Sequence, residues 1–412
     1  MIFIIAWKNV WRNKLRSLIV ILSIVIGLLG GLFYLAFSNG MVQNQIGTAI
    51  KTEISNIQLH NPEYLVNNEI KYSISEPNKK LEKIRSLENV KAASAKIKSM
   101  VMISSAATGT GVSLNGINPN DEIRVSDLST KLIDGTYFQT KLRNPIFIGE
   151  KLANKLKVKV KSKVVVTTQD LNENITYGSF RVVGIFKTHN TMFDQANAFV
   201  IKKDMADLIQ YDTTTATEIS VLLNHNDLTN ETQTQLSSMF ADEIETKEIT
   251  ARTWSEINPI LRMLNEMTLQ FTMIFVVIIL VALSFGIINT MLMAIMERVR
   301  EIGMLMAIGM SKIKVFLMIM LETVFLSLTG GVIGLVLSWI FVSITNRTGI
   351  DLSSVAEGLN AIGYSSFIRP ELGIFFYFFI GTLVVVTAIF ASILPARKAL
   401  KLKPSEAIRQ GV

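Results

Sequence analysis

Four stretches with almost no charge constrain this chain more than any other feature of its sequence. Residues 17–50 and 267–296 carry no charged side chain, 315–346 carry only Glu322, and 372–396 carry none. A helix that crosses the hydrocarbon core of a bilayer needs ~20 apolar residues, and each stretch supplies them. The spans are placed at 17–38, 270–294, 315–344 and 373–394. The first is too long for the apolar region of a secretory signal, and no small-residue cleavage pattern follows it, so it is expected to remain as an anchor. Composition agrees, with 49% hydrophobic and 18% charged residues where a soluble domain carries about 25% charged. A disordered chain and an ordinary cytosolic enzyme are both excluded.

Orientation follows from Lys and Arg in the short flanks. Lys8, Arg12, Lys14 and Arg16 precede the first span; Arg298, Arg300, Lys312 and Lys314 lie between the second and third; Arg397, Lys398, Lys401, Lys403 and Arg409 follow the fourth. The 345–372 loop holds Arg347 and Arg369 against Asp351, Glu357 and Glu371. Segments 1–16, 295–314 and 395–412 are therefore expected in the cytoplasm, and 39–269 and 345–372 outside it. Residues 40–270 contain 26 basic and 26 acidic side chains, so the net charge of +8 lies wholly outside that region. A nucleic-acid binder would gather its excess on a soluble face. Here it lines the anionic leaflet, and no nucleic-acid partner is expected.

The external region reads as one folded α+β unit. Strand signals fall at 54–59, 98–104, 112–114, 145–148, 163–168, 180–186, 198–201 and 218–223. Helical patterns fall at 77–86, 150–156, 204–209, 229–240 and 254–267, and strands interleaved with helices argue α+β. Gly109-Thr110-Gly111 lacks the Gly-Lys-Ser/Thr of a phosphate loop and is expected to be a tight turn between strands. The carboxylates of this region, scattered among equal numbers of bases, read as solvated surface. No nucleophile elbow, HExxH or P-loop motif occurs, there is no cysteine, and there are three histidines. The chain is thus read as non-catalytic, with no cofactor or metal of its own.

Two short segments carry more information. In residues 4–16, Trp7, Val10, Trp11 and Leu15 share a helical stripe with Lys8, Arg12 and Arg16 beside it. That pattern predicts an interfacial helix, with a basic topology-setting flank as the alternative. In residues 297–314 a charged turn with Glu297, Arg298, Arg300 and Glu301 precedes a small apolar helix containing Gly303, Leu305 and Gly309. An apolar helix rimmed with charge marks a partner surface, where a plain connecting loop is the alternative.

The strings ERVREIGMLMAIGMSKIKVF (297–316), PARKALKLKPSEAIR (395–409) and AWKNVWRNKLRSL (6–18) resemble the FtsX-like, MacB-type permeases of ABC transporters. VVGIFKTHNTMFDQANAFV (182–200) and GTAIKTEISNIQLHNPEY (47–64) are more similar to the lipoprotein-releasing (Lol) branch. The resemblance implies four transmembrane helices and an extracytoplasmic MacB-type domain with a porter subdomain (about 45–104 and 211–255) and an inserted sabre subdomain (about 105–210). It implies a dimer with a second permease copy or paralogue. It also implies a separate cytoplasmic ABC ATPase, holding ATP and Mg, docked on Glu297, Arg298, Arg300, Glu301, Gly303, Leu305 and Gly309. Met306 stands where the family often has Arg. A periplasmic chaperone is among the partners of the branch, although residues 168–179 lack the proline-bearing hook that captures it.

The spans carry no ladder of charge for an ion path, and Glu322 is expected to pair with a neighbouring helix or to snorkel. Met263, Met267, Phe271 and Met273 lie where the second span enters the outer leaflet. Flexible Met surfaces suit acyl chains, so these four form a candidate substrate entrance, with ordinary helix packing as the alternative. The function read from these parts is lipoprotein release from the outer leaflet of a bacterial inner membrane. The alternatives are MacB-like export of peptides or drugs and a signalling complex that activates an external hydrolase.

Overall fold

The computed structural model describes residues 2–139 and 142–400, so Lys401, Lys403 and Arg409 lie outside the described residues. It divides into two compact units. Of the described residues, the first comprises 2–42, 265–351 and 368–400, and the second lies within 43–264 and 352–367.

Six helices organise the first unit: α1 (Ile2–Arg12), α2 (Lys14–Ala49), α3 (Pro259–Glu297), α4 (Val299–Ala307), α5 (Lys312–Thr348) and α6 (Ile374–Leu400). Four of these, α2, α3, α5 and α6, are long and apolar enough to cross a membrane. Each helix overruns its apolar stretch, because lipid sets the length of the apolar run while backbone hydrogen bonding sets that of the helix. The 36 residues of α2 rise about 54 Å, against ~30 Å of hydrocarbon. Upstream of α3 the helix expected at 254–267 is broken: Trp254–Ile257 ends at Asn258, and Pro259 starts a new helix. Proline disfavours helical backbone in the residue before it.

Val20, Ile24, Leu28 and Leu32 of α2 meet Leu283 and Ile287 of α3, Val315 and Ile319 of α5 and Val384 of α6 in one apolar core. The close approach of α2 and α5 needs glycine. A Cβ on Gly334 of α5 would stand 2.9 Å from Leu28 Cδ1, and one on Gly330 3.1 Å from Ile24 Cβ. Gly330, Gly334 and Ser338 repeat every four residues on the buried face of α5, the small-residue stripe that lets membrane helices approach closely. The N-terminal helix α1 is seated lengthwise on α5. Ala6 and Val10 are buried, Trp7 stacks edge-on against Phe325 at 5.4 Å, as does Phe3 at 5.9 Å. Leu15 does not extend the Trp7–Trp11 stripe, since the chain turns at Asn13 and Leu15 belongs to α2.

The second unit holds a ten-stranded sheet: β1 (Ile57–His60), β2 (Val90–Ser104), β3 (Gly109–Ile117), β4 (Leu132–Gly135), β5 (Pro145–Gly149), β6 (Lys163–Gln169), β7 (Ile175–Phe186), β8 (Asn197–Ile201), β9 (Glu218–Leu223) and β10 (Thr250–Thr253). The order is β10-β1-β9-β2-β3-β8-β5-β7-β4, with β6 bridging β2 and β7. The pairs β3–β8 and β5–β7 are parallel and the others antiparallel. Two of the apolar cores along it meet at β2. One gathers Ile57, Leu59, Leu81, Ile84, Val221, Leu236 and Phe240; the other gathers Ile97, Ile103, Leu114, Ile148, Val164, Phe180 and Ile209. The 15-residue β2 belongs to both, pairing with β9 from Val90 to Lys96 and with β3 from Ile97 to Ser104.

Gly109-Thr110-Gly111 is not a turn. These residues open β3, and the chain reverses at Ser105–Thr108, where the Ser105 N–H donates to the Thr108 carbonyl at 2.8 Å and the Ser105 hydroxyl accepts from the Ala107 N–H. A serine hydroxyl can close a turn by capturing backbone donors, which removes the need for glycine there. Residues 168–179 are the tip of a β6–β7 hairpin, closed by Asp170 accepting from the Asn172 and Asn174 N–H groups.

Candidate functional site

The connection from α3 to α5 is built so that a short helix is fixed at both ends. At its C-terminal end the Met310 N–H donates to the Leu305 carbonyl and the Gly309 N–H to the Met306 carbonyl. This pair of bonds closes a Schellman motif. Gly309 sits at φ +99°, a left-handed conformation that glycine adopts without strain. Ser311 then caps α5, so Gly309, Met310 and Ser311 make the whole turn.

At the N-terminal end, four charges alternate across three helices. Arg12 Nη2, at the end of α1, donates to both oxygens of Glu301 in the first turn of α4, at 2.6 and 2.5 Å. Glu301 also accepts from Arg298 Nε at 3.1 Å. Arg298 Nη1 is shared between the two oxygens of Glu322 on α5, at 3.1 and 3.2 Å. Arg298 and Glu322 are 15% and 9% exposed, whereas Arg12 and Glu301 are about half exposed. The Arg12 hydrogen bond, joined by Arg298, holds the Glu301 carboxyl below the usual carboxylate range. The helix N-terminus favours the same charged form.

These contacts sort the residues singled out in the sequence. Val299, Ile302 and Gly303 face inward and are buried; Leu305 is half-buried; Arg298 and Glu301 are engaged within the unit. Glu297 closes α3 and is exposed, as is Arg300. The outer face of α4 is Arg300, Met304 and Ile308, recurring every four residues, with Ile308 79% exposed. Met304 and Ile308 were missed from the sequence. Their signal was present, since Val299, Ile302 and Met306 define an inner face at helical spacing and leave these two opposite.

Met263, Met267, Phe271 and Met273 all lie on α3 and are all exposed. The geometry does not bring the four together. The first three are spaced by four residues on one stripe, and Met273 stands about 200° around the helix from Phe271. Ile274, Val277, Ile278, Val281 and Phe285 continue the exposed apolar surface of α3, so the Met-rich end is one part of a longer band. A second feature was not anticipated. A cleft of about 410 Å³ opens between α2 and α3, lined by Ile26, Gly27, Ala282, Leu283, Gly286 and Asn289 among others. Glycine and alanine on facing helices leave the room that larger side chains would fill.

In the second unit the carboxylates are not all solvated. Lys96 is buried between Glu122 and Glu218, each at 3.4 Å, with His60 Nε2 4.0 Å from Glu218. Burial alone would raise the Glu218 carboxyl, but Lys96, Lys98 and His60 outweigh it and hold it at about 2. Burial would likewise lower Lys96, and the two carboxylates reverse that and raise it. The surface reading fails for these residues because the helix Pro119–Val125 covers this part of β2 and brings Glu122 inward. Among the described residues, no three His, Cys, Asp or Glu side chains are grouped as metal ligands would be.

Two family models match this chain. A family model for the MacB-like periplasmic core domain matches residues 17–239, and one for the C-terminal part of FtsX-like permeases matches 273–404. An uncharacterised ABC transporter permease of Methanocaldococcus jannaschii is 30% identical over 243 residues, 56% of this chain and 55% of its own. The lipoprotein-releasing system transmembrane protein LolC of Neisseria meningitidis is 24% identical over 346 residues, 79% of this chain and 80% of its own. The macrolide export ATP-binding/permease protein MacB of Escherichia coli is 27% identical over 243 residues, 57% of this chain and 35% of its own. The chain thus spans about half the length of the archaeal relative and about a third of MacB.

Proposed function

The chain belongs to the FtsX-like ABC transporter permeases with a MacB-like periplasmic core domain, and from that premise we propose that it couples ATP hydrolysis by a separate cytoplasmic ATPase to motion of an external domain that releases lipoproteins from the outer leaflet of the inner membrane. The termini and α4 face the cytoplasm in this reading, because Lys and Arg cluster beside them. The ATPase seats on the outer face of α4, where Arg300, Met304 and Ile308 offer a charge beside apolar area. The complex contains two permeases, this chain with a second copy or a paralogue. ATP and Mg are held by the partner.

One observation carries the choice of cargo. The similarity to LolC runs through four-fifths of both chains, external unit and membrane helices alike. The exposed apolar band of α3 suits an acyl chain. A second reading, export of a peptide or drug, is favoured by the similarity to MacB over more than half of this chain.

Reconstitution decides between them. The permease and its ATPase, in liposomes carrying a triacylated lipoprotein, should release that protein to the supernatant on ATP addition and retain it with a non-hydrolysable analogue. ATP hydrolysis without release would reject the lipoprotein reading. Stimulation of that hydrolysis by a soluble peptide or macrolide would support the second.

A further inference from the structure

The ionic chain at the start of α4 is more than charge neutralisation. A carboxylate in the third turn of a membrane helix could be neutralised by any cation in reach. Here one guanidinium serves two carboxylates on different helices at once, with Nε to Glu301 and Nη1 to Glu322. A planar guanidinium with two engaged edges fixes an orientation, which an ammonium cannot do. Met291, Ile295, Ile302 and Met318 close around the pair and leave about 10 Å³, room for one water at most. Stranding either charge in such a place is costly. Apolar packing of Val299, Ile302 and Gly303 seats α4, and the ionic chain adds the directional contacts that resist its rotation about its own axis.

We propose that Arg298, Glu301 and Glu322, together with Arg12, are positioning residues for coupling: they bind α1, α4 and α5 into one moving block, so that displacement of α4 reaches the membrane helices and is not absorbed by α4 turning. The inference rests on the reading of α4 as the ATPase-docking helix. It assigns the buried Arg298–Glu322 pair to the link between α4 and α5, and the exposed Arg12–Glu301 pair to the link with α1. Arg300, two residues beyond Arg298 and exposed, belongs to the docking face and has no part in it.

The test uses the full permease–ATPase complex in liposomes and reads three quantities separately: assembly, ATP hydrolysis, and release per ATP. Glu322→Gln keeps the shape and removes the charge, and Arg298→Lys keeps the charge and removes the second edge. Both should assemble and hydrolyse ATP within about twofold of the parent while release per ATP falls roughly tenfold, within the range a broken link in a packed network gives. Lys312→Gln, at the exposed start of α5 and outside both the ionic chain and the outer face of α4, should keep its release per ATP. If the interior variants fail to insert, the exposed pair decides. The chain has no cysteine, so Arg12→Cys with Glu301→Cys introduces two defined thiols, and a short bismaleimide should restore the coupling that the double substitution removes. Release per ATP unchanged in the assembled variants, or lost coupling that the cross-link does not restore, overturns the inference. A parent complex that hydrolyses ATP without release overturns the proposed function instead.

Discussion

Lys96 shows how much one residue can decide in the external unit. Its ammonium lies between two buried carboxylates, and removing it takes from each the cation at 3.4 Å. Lys96→Met is expected to cost about 3–5 kcal/mol, the usual penalty for breaking a buried ion pair from one side. Lys96→Met combined with Glu122→Gln and Glu218→Gln should recover most of that, because no buried charge is then stranded. The pH dependence has a definite sign. Glu218 is held at about 2 against its ordinary 4.5, so its contribution is fully present above about pH 4.5 and is lost as pH falls toward 2. Thermal melts of the detergent-solubilised chain between pH 7 and pH 3 would measure both effects. A silent Lys96→Met, or a triple variant no better than the single one, would count against the buried network. None of this was legible in the sequence. The alternation of β2 is clear at Met100 and Met102, which face solvent, but from Ala92 to Ile97 both faces are covered, and strand parity cannot report a helix packed on the other side.

At the scale of elements, the membrane helices were the most legible part because apolar length is a local property. Their ends were not, since the polar residues that close the apolar runs, Asn39 and Gly40 after residue 38 and Arg262 and Glu266 before residue 270, do not end the helices. The break at Asn258 was visible as Pro259 but was overridden by the helical pattern around it. For α4 the sequence showed a helix with a charged start, yet could not say that Arg298 and Glu301 are spent on internal contacts, because Arg12 and Glu322 lie 289 and 24 residues away from their partners. The element itself is testable. Leu305 lies inside α4, where proline would remove the bond to the Glu301 carbonyl and clash with the preceding turn, at about 3 kcal/mol. Leu305→Pro should leave the chain inserted and the external unit folded, while the ATPase either dissociates or hydrolyses ATP without cargo release. Co-purification and vesicle release would measure this. Normal coupled release would reject α4 as a force-bearing element.

At the scale of the whole molecule, the functional reading depends on which side of the membrane each unit faces, and the physical case is the distribution of cations. Lys8, Arg12 and Lys14, then Arg298, Arg300, Lys312 and Lys314, then Arg397 and Lys398 flank the same ends of the four long helices, while residues 345–372 carry more acid than base. Lys and Arg near short loops are retained on the cytoplasmic side during insertion, and each gains on the order of 1 kcal/mol beside anionic lipid. The charge-balanced external unit has no such preference, so its side is dictated by the helices that carry it. A chain without cysteine makes the test direct. Asn230 is exposed on the helix Thr229–Met239 of the second unit, and Ser311 is exposed at the start of α5. In spheroplasts, Asn230→Cys should react with a membrane-impermeant maleimide within minutes, and Ser311→Cys should react only after the membrane is opened. Both substitutions fall on surface positions, where a cysteine changes stability by about 0.5 kcal/mol or less, so a lost signal would not come from misfolding. Labelling of Ser311→Cys in intact spheroplasts, with Asn230→Cys protected, would invert the chain and remove the cytoplasmic ATPase from α4.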